Sequence, residues 1–225
     1  MRVVAGQAKG RKLKSPKTIS TRPIMDRVKT ALFDILAVRI KGARFLDLFA
    51  GTGSVGIEAL SRGAAHATFI EMNMSVLKLV RENLQITGLA AHAETIYTDA
   101  FKFLQASLLA PTPRAPTRDA PTFRVARTPG QEGNSRREYD IIYVAPPQYQ
   151  GLAARALELL DSSPLVAEDG LVIVQIHPKE RPGVGQVPLT RLVLADERRY
   201  GSTLLMFFEV KREEQSTDVD ITTEA

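Results

Sequence analysis

A chain of 225 residues with 44% hydrophobic and 24% charged side chains has the balance of a globular protein and room for one α/β domain plus an appendage. No apolar run approaches the roughly 20 residues of a membrane span, and residues 1–16 lack the apolar core of a signal peptide. With 0 cysteines there is no disulfide and no thiolate metal site, so a cytoplasmic location is expected. His66, His92 and His177 are scattered without ligand spacing, and no metal is expected.

Charge is unevenly spread. The net charge is +5, yet residues 1–44 hold twelve Lys and Arg against only Asp26 and Asp34. A basic lobe on a near-neutral domain points to a polyanion, nucleic acid first of all. Residues 1–22 read as a basic arm. In it, two β-prone pieces around Gly6 and Gly10 predict a small hairpin presenting Lys9, Arg11, Lys12 and Lys14. A helix follows from Pro23, with Ile24, Val28, Ala31, Leu32, Ile35 and Leu36 on one face and Pro23 suited to the first turn. Arg27 and Lys29 fall off that stripe.

Residues 43–49 form an apolar run that reads as a buried strand. The stretch Asp47-Leu48-Phe49-Ala50-Gly51-Thr52-Gly53-Ser54-Val55-Gly56 carries it through a small-residue turn into a helix over 54–62. Strand, glycine loop and helix start is the local grammar of a nucleotide-cofactor pocket in a doubly wound sheet. Gly51 and Gly53 permit positive φ and let the backbone approach a ligand with no Cβ between. The loop alone also fits a strand–helix turn without a ligand, so the later segments decide. Residues 67–71 read as a second buried strand ending in Glu71, twenty positions after Gly51; an acid there can accept both hydroxyls of a ribose. A helix over 74–87 has Leu77, Val80 and Leu84 as its stripe and Gly88 as its stop. A third strand over 92–97 leads to Asp99, on the edge where open α/β sheets bind ligands. Asp99 either accepts from the exocyclic amine of a cofactor base or caps the helix that begins near Ala100.

Residues 106–138 break the pattern with five prolines and six arginines against three acids. They read as a flexible basic insertion, either a variable loop or a further RNA-contacting arm. A fourth strand over 139–144 runs into Ala145-Pro146-Pro147-Gln148-Tyr149, and a helix over 151–162 follows. Residues 171–176 are apolar almost throughout and read as a central strand. Two strands over 191–195 and 203–210 flank Tyr200-Gly201 as a closing antiparallel hairpin. The stretch from Lys211 onward, with five acids and no apolar stripe, reads as a disordered tail.

Strand–helix alternation with a final antiparallel hairpin is similar to the α/β, Rossmann-like seven-stranded sheet of S-adenosylmethionine-dependent methyltransferases. Here that sheet would span 23–210 and carry the basic hairpin and helix as an N-terminal extension. The closer resemblance is to the bacterial small-subunit ribosomal RNA guanine-N2 methyltransferases of the RsmD type. It is carried by GQAKGRKL at 6–13, TRPIMDRVKTALFDIL at 21–36, LDLFAGTGSVGIEALSRGA at 46–64, FIEMN at 69–73, APPQY at 145–149 and RRYGSTLL at 198–205. It implies methyl transfer from S-adenosylmethionine to a guanine exocyclic amine in 16S ribosomal RNA, free or in a small-subunit assembly particle, by a monomer. It also implies a cofactor site of Asp47, Phe49, Gly51, Thr52, Gly53, Glu71, Met72, Asp99 and Ala100, with Asp47, Gly51 and Gly53 at the methionine part, Glu71 at the ribose and Asp99 with Ala100 at the adenine. Phosphate contacts are expected from Arg2, Lys9, Arg11, Lys12, Arg22 and Arg27.

Amino-group methyltransferases of this sort carry Asp or Asn, Pro, Pro and an aromatic at the catalytic turn. The acid or amide and the first proline carbonyl accept from the target amine, and the aromatic stacks on the extruded base. In this chain the catalytic candidates are Ala145, Pro146, Pro147, Gln148 and Tyr149. Ala145 offers no side-chain acceptor and Gln148 takes the aromatic's place. Three outcomes follow. The carbonyls of Ala145 and Pro146 suffice, with Tyr149 as the stacking surface and Gln148 as a further acceptor. Or another acid, such as Asp140, substitutes. Or the protein binds RNA and cofactor without turnover. The rivals to guanine-N2 transfer are a non-catalytic RNA-binding or assembly factor and a DNA adenine-N6 methyltransferase, which shares the Pro-Pro turn.

Overall fold

The computed structural model describes residues 1–16, 24–109 and 138–211. Arg22, Pro23, nearly all of the expected insertion and the tail beyond Lys211 lie outside the described residues. Seven strands form one sheet in the order β3-β2-β1-β4-β5-β7-β6. They are β1 (Arg44–Asp47), β2 (His66–Glu71), β3 (Ala93–Tyr97), β4 (Tyr139–Val144), β5 (Val166–Ile176), β6 (Leu192–Tyr200) and β7 (Thr203–Val210). The first five are parallel, and β7 runs antiparallel to both β5 and β6, so the α/β sheet with its closing hairpin is as expected. The helices are α1 (Asp26–Ile35), α2 (Ser54–Ser61), α3 (Met74–Thr87), α4 (Ala100–Leu109), α5 (Leu152–Asp161) and the short α6 (Arg181–Gly185).

Successive strand residues face opposite sides. Phe45, Ile141, Tyr143, Leu171 and Ile173 share one core with α1, α2 and α3. Leu46, Ile142, Val144, Val172 and Val174 share the other with α4, α5 and α6. Burial on both faces is why these strands are near-continuous apolar runs rather than alternating ones. The strand order reverses between β1 and β4. After β1 the chain crosses to β2 on one side, and β4 enters on the other, so the segments leaving β1 and β4 emerge side by side at the C-terminal edge.

The basic arm forms the expected small hairpin. Residues 1–3 and 10–13 pair antiparallel about the Arg2–Lys12 bridge, with the Val3 N–H donating to Arg11 O at 3.0 Å, the Gly10 N–H to Val3 O at 2.9 Å and the Leu13 N–H to Met1 O at 3.0 Å, while Gly6 and Gly10, at φ 81° and 84°, turn the residues between them. Val3, Ala8 and Leu13 point inward and join the α1–α3 core, while Arg2, Lys9, Arg11 and Lys12 are exposed. The arm lies on the end of α2. The Gln7 N–H donates to Ser61 O at 2.8 Å and the Ala8 N–H to Ser61 Oγ at 3.0 Å. A Cβ on Gly6 would sit 1.8 Å from Ser61 O, so only glycine allows the contact.

One difference concerns Lys29, expected off the apolar stripe of α1. It is 1% exposed, because it reaches Glu58, which is fully buried on α2, at 3.2 Å. Glu58 Oε2 also accepts from the Val4 N–H at 2.8 Å. Its Oε1 accepts from the Ala5 N–H at 2.9 Å and from Arg62 Nε at 3.0 Å. Lys29 Nζ in turn donates to Arg2 O at 2.7 Å. Three hydrogen bonds and one ion pair thus converge on a carboxylate with about four lone-pair sites. Burying an ion pair is tolerated only when its remaining hydrogen bonds are made.

Removing one partner strands the other charge, so Glu58→Gln is expected to destabilise by about 3–5 kcal/mol and to loosen the arm. The paired change Lys29→Met with Glu58→Leu should recover much of that loss. Urea midpoints and limited proteolysis within residues 1–16 are the measurements. Equal stability of Glu58→Gln and the parent would contradict the role given to this pair.

Candidate active site

The glycine loop closes a strand–loop–helix unit at the C-terminal edge. The Leu48 N–H donates to Tyr143 O on β4 at 3.0 Å, and the Ala50 N–H to Ile70 O on β2 at 2.9 Å. The loop therefore leaves the sheet between its two neighbours. Gly51 and Gly53 stand at φ 52° and 75°, and Gly53 occupies the N-cap of α2 without a side-chain cap. Glu71, at the end of β2, turns toward this loop. Its Oε2 accepts from the Gly51 N–H at 3.0 Å and its Oε1 from the Asn73 N–H at 2.8 Å. Two of its lone-pair sites are thereby used and two remain. Met72 beside it is 65% exposed.

Asp47 lies under the loop, 2% exposed, with Oδ2 accepting from the Gly56 N–H at 3.2 Å. Burial pushes its carboxyl up to about 7; the Gly56 N–H opposes that rise and the Glu71 charge adds to it. On the next strand Tyr143 sits in register with Asp47. Its phenol is also pushed well up, first by burial and then by Asp47, and it donates to Gln175 Oε1 on β5. Asp47, Tyr143 and Gln175 thus make a polar row across three strands.

Asp99 does cap the following helix: its Oδ1 accepts from the Phe101 N–H at 2.9 Å and the Lys102 N–H at 3.0 Å. Ala100 is buried, with its backbone in the first turn. Phe49 packs edge-on against Phe101 at 6.0 Å between centroids. Thr52 is tied from behind: Asn83, fully buried on α3, donates to Thr52 O at 3.0 Å and to Lys14 O at 3.2 Å. Its Oδ1 accepts from the Lys14 N–H at 2.8 Å. One side chain therefore joins the glycine loop to the basic arm.

The Ala145–Tyr149 stretch leaves β4 beside the glycine loop. Pro146 is buried, Ala145 and Gln148 are half-buried, and Tyr149 is exposed. Asp140 cannot replace the missing acid. Its carboxylate accepts from the Arg44 N–H at 2.7 Å, at the N-terminal ends of β1 and β4, the opposite edge of the sheet. The exposed bases divide into two groups. Arg2 pairs with Asp26 at 3.0 Å, a surface pair of little energetic weight. Lys9, Arg11, Lys12 and Arg27 make no ion pair among the described residues. A concavity of about 300 Å³ between Pro178, Arg181, Pro182, Glu197, Arg199 and Leu204 contains none of the cofactor candidates.

Residues 1–112 and 122–209 match the family model described as Conserved hypothetical protein 95. Over 175 residues the chain is 34% identical to the ribosomal RNA small subunit methyltransferase D of Escherichia coli (strain K12), covering 78% of this chain and 74% of that one. The chain belongs to the RsmD-type methyltransferase family. It is also similar to Bacillus subtilis YlbH, with 33% identity over 205 residues, 90% of this chain and 95% of that one. The solved structure of Escherichia coli yhhF superposes with a TM-score of 0.71 at 28% identity, covering 95% and 99% of the two chains. Among the described residues of this RsmD-type chain, no group of His, Asp and Glu is placed to hold a metal ion, and no helix is long and apolar enough to cross a membrane.

Sequence reasoning passed over Glu58, Asn83, Gln175 and Glu180, and read His177 only as a scattered histidine without ligand spacing. Two carried a signal. Asn83 is a polar residue beside Leu84 and three after Val80 on the buried stripe of α3. His177-Pro178-Lys179-Glu180 has the spacing of a capping box with proline in the first turn.

The raised carboxyl of Asp47 makes stability depend on pH. Between the ordinary carboxylate value and about 7 the native state holds a proton that the unfolded state has released, so stability falls as pH rises through that window. Asp47→Asn keeps an acceptor for Gly56 but cannot ionise. It should match the parent near pH 4 and exceed it above pH 7, by at most about 4 kcal/mol. Urea midpoints across that range, without added ligand, read the difference; a gap independent of pH would contradict the assignment.

Proposed function

We propose that this protein transfers the methyl group of S-adenosylmethionine to the exocyclic N2 of a guanine in small-subunit 16S ribosomal RNA, acting as a cytoplasmic monomer on the RNA or on an assembly particle that contains it. The observation that carries the reading is the pairing of a glycine loop and a Pro-Pro-turn at the two strands that flank the reversal of strand order. A ligand held by the first is presented to whatever occupies the second. Family membership supports the same chemistry.

In this reading the methyltransferase domain spans 23–210. Gly51, Thr52 and Gly53 lend backbone to the methionine part of the cofactor, with Asp47 and Phe49 beneath. The two remaining lone-pair sites of Glu71 take the ribose hydroxyls, with Met72 alongside. Asp99, whose Oδ1 holds the helix cap, offers Oδ2 to the adenine amine above Ala100. The cofactor's sulfonium supplies an already activated methyl, so the chain's task is positioning. The carbonyls of Ala145 and Pro146 accept the two hydrogens of the guanine amine and aim its lone pair, and Gln148 is a nearby further acceptor. Pro147 stiffens the turn, and Tyr149 stacks on the base. As N2 gains the methyl group it loses one proton to solvent, and S-adenosylhomocysteine leaves. Lys9, Arg11, Lys12 and Arg27, with Arg2 and Arg22, meet the phosphates.

Tritium-methyl transfer to small-subunit RNA and particles, followed by nucleoside mass spectrometry, should yield N2-methylguanosine. N6-methyladenosine would favour the DNA-type rival, and cofactor binding without transfer the non-catalytic one. Arg11→Ala with Lys12→Ala should reduce the slope of log affinity against log salt by about one unit per residue and leave cofactor affinity within twofold. Equal loss of RNA and cofactor binding would break this division of labour.

A further inference from the structure

The catalytic turn is held from outside by groups that the methyl-transfer reading does not use. Tyr149 stands at φ 64°, the one non-glycine at positive φ among the described residues. A bulky residue keeps such a backbone only when its surroundings enforce it. The Tyr149 N–H donates to Glu180 Oε1 at 2.9 Å. The other oxygen of that carboxylate accepts from the His177 N–H at 3.2 Å. That bond closes a capping box over the 3-10 turn Pro178–Glu180, immediately after β5. Glu180 therefore bolts the end of β5 to the end of β4.

The ring is constrained as well. His177 Nδ1 accepts from the Lys179 N–H at 3.2 Å, which orients the imidazole. This ring lies 5.4 Å from the Tyr149 ring, tilted by 45°. Yet Tyr149 remains 63% exposed. A hydrogen-bonded backbone, a ring neighbour on one side and a largely exposed side chain describe a rigid stacking platform rather than a core aromatic.

We propose that Glu180 is a positioning residue for the target base, acting through Tyr149, with His177 as the wall behind the tyrosine ring. This rests on the methyl-transfer reading above and adds that the platform is assembled before RNA arrives. The carboxylate spares the site the ordering of a loop at the moment of binding.

Three measurements on the full chain test it, with Glu180→Ala and Glu180→Gln. Exchange of the Tyr149 amide hydrogen without RNA should be slow in the parent and accelerate by about tenfold or more in Glu180→Ala. Glu180→Gln, which keeps one acceptor oxygen, should fall between. With small-subunit RNA or particles, Glu180→Ala should lower kcat/KM by about 10–100-fold, with partial rescue by Glu180→Gln. Cofactor Kd should remain within twofold of the parent. Unchanged exchange at Tyr149 overturns the proposal, and so does a parallel fall in cofactor affinity and thermal midpoint, the mark of a merely structural role. If the parent transfers no methyl group, the function proposed above falls, while the exchange result still upholds or overturns the clamp.

Discussion

The buried carboxylate of Glu58 is the constraint on which the rest of the molecule depends. It sits on α2, the helix that the glycine loop opens, and it takes four donors from three separate segments: the arm, α1 and α2 itself. An isolated charge in such a place would not stay ionised, and an isolated pair would scarcely repay its desolvation. The network is tolerated because three hydrogen bonds and one ion pair converge on the carboxylate. Its consequence is geometric. The first residues of the chain are hydrogen-bonded to the helix that begins at the glycine loop, which ties the basic surface to that loop.

Asn83 repeats that coupling at the other end of the arm, reaching Lys14 and Thr52 with one buried amide. Between these two anchors Val3, Ala8 and Leu13 enter the core, which turns Lys9, Arg11 and Lys12 outward. The charge pattern of the arm is thus the complement of its packing pattern. A polyanion laid on this face would run beside the glycine loop, and the strand reversal sets that loop next to the Ala145–Tyr149 turn.

Much of this was legible in the chain itself. The strand over 139–144, the helix over 74–87 with its stop at Gly88, and the hairpin strand over 203–210 emerge with the bounds read from apolar patterning and glycine position. Asp99 was readable as a helix cap because that is a local hydrogen-bond pattern. What local patterning misread was set by distant partners. Lys29 breaks the apolar stripe of α1 and looks solvated, yet Glu58, twenty-nine positions on, draws it inside. The arm is the hairpin its pattern suggests, but what holds it in place is distant: the amides of Val4, Ala5, Gln7 and Ala8 donate to Glu58 and Ser61 on α2. β5 begins at Val166, earlier than its apolar run, because Val166 pairs with Tyr139 across an irregular register.

By itself, the sequence determined the order of strands and helices, the two glycines that permit the loop's positive φ, the carboxylates at the ends of β2 and β3, and the concentration of positive charge near the start. These are properties of periodicity, residue size and formal charge, and they need no long-range partner. Only the tertiary structure decided which charges are buried, which acid lies at the opposite edge of the sheet and what secures the Ala145–Tyr149 turn. Asp140 and Glu180 are both plain acids in the chain. Strand direction sends the first to the opposite edge, and the end of β5 brings the second to the Tyr149 amide. The physical reason is that a carboxylate's role is set by the donors around it, and those donors are assembled only when the sheet is.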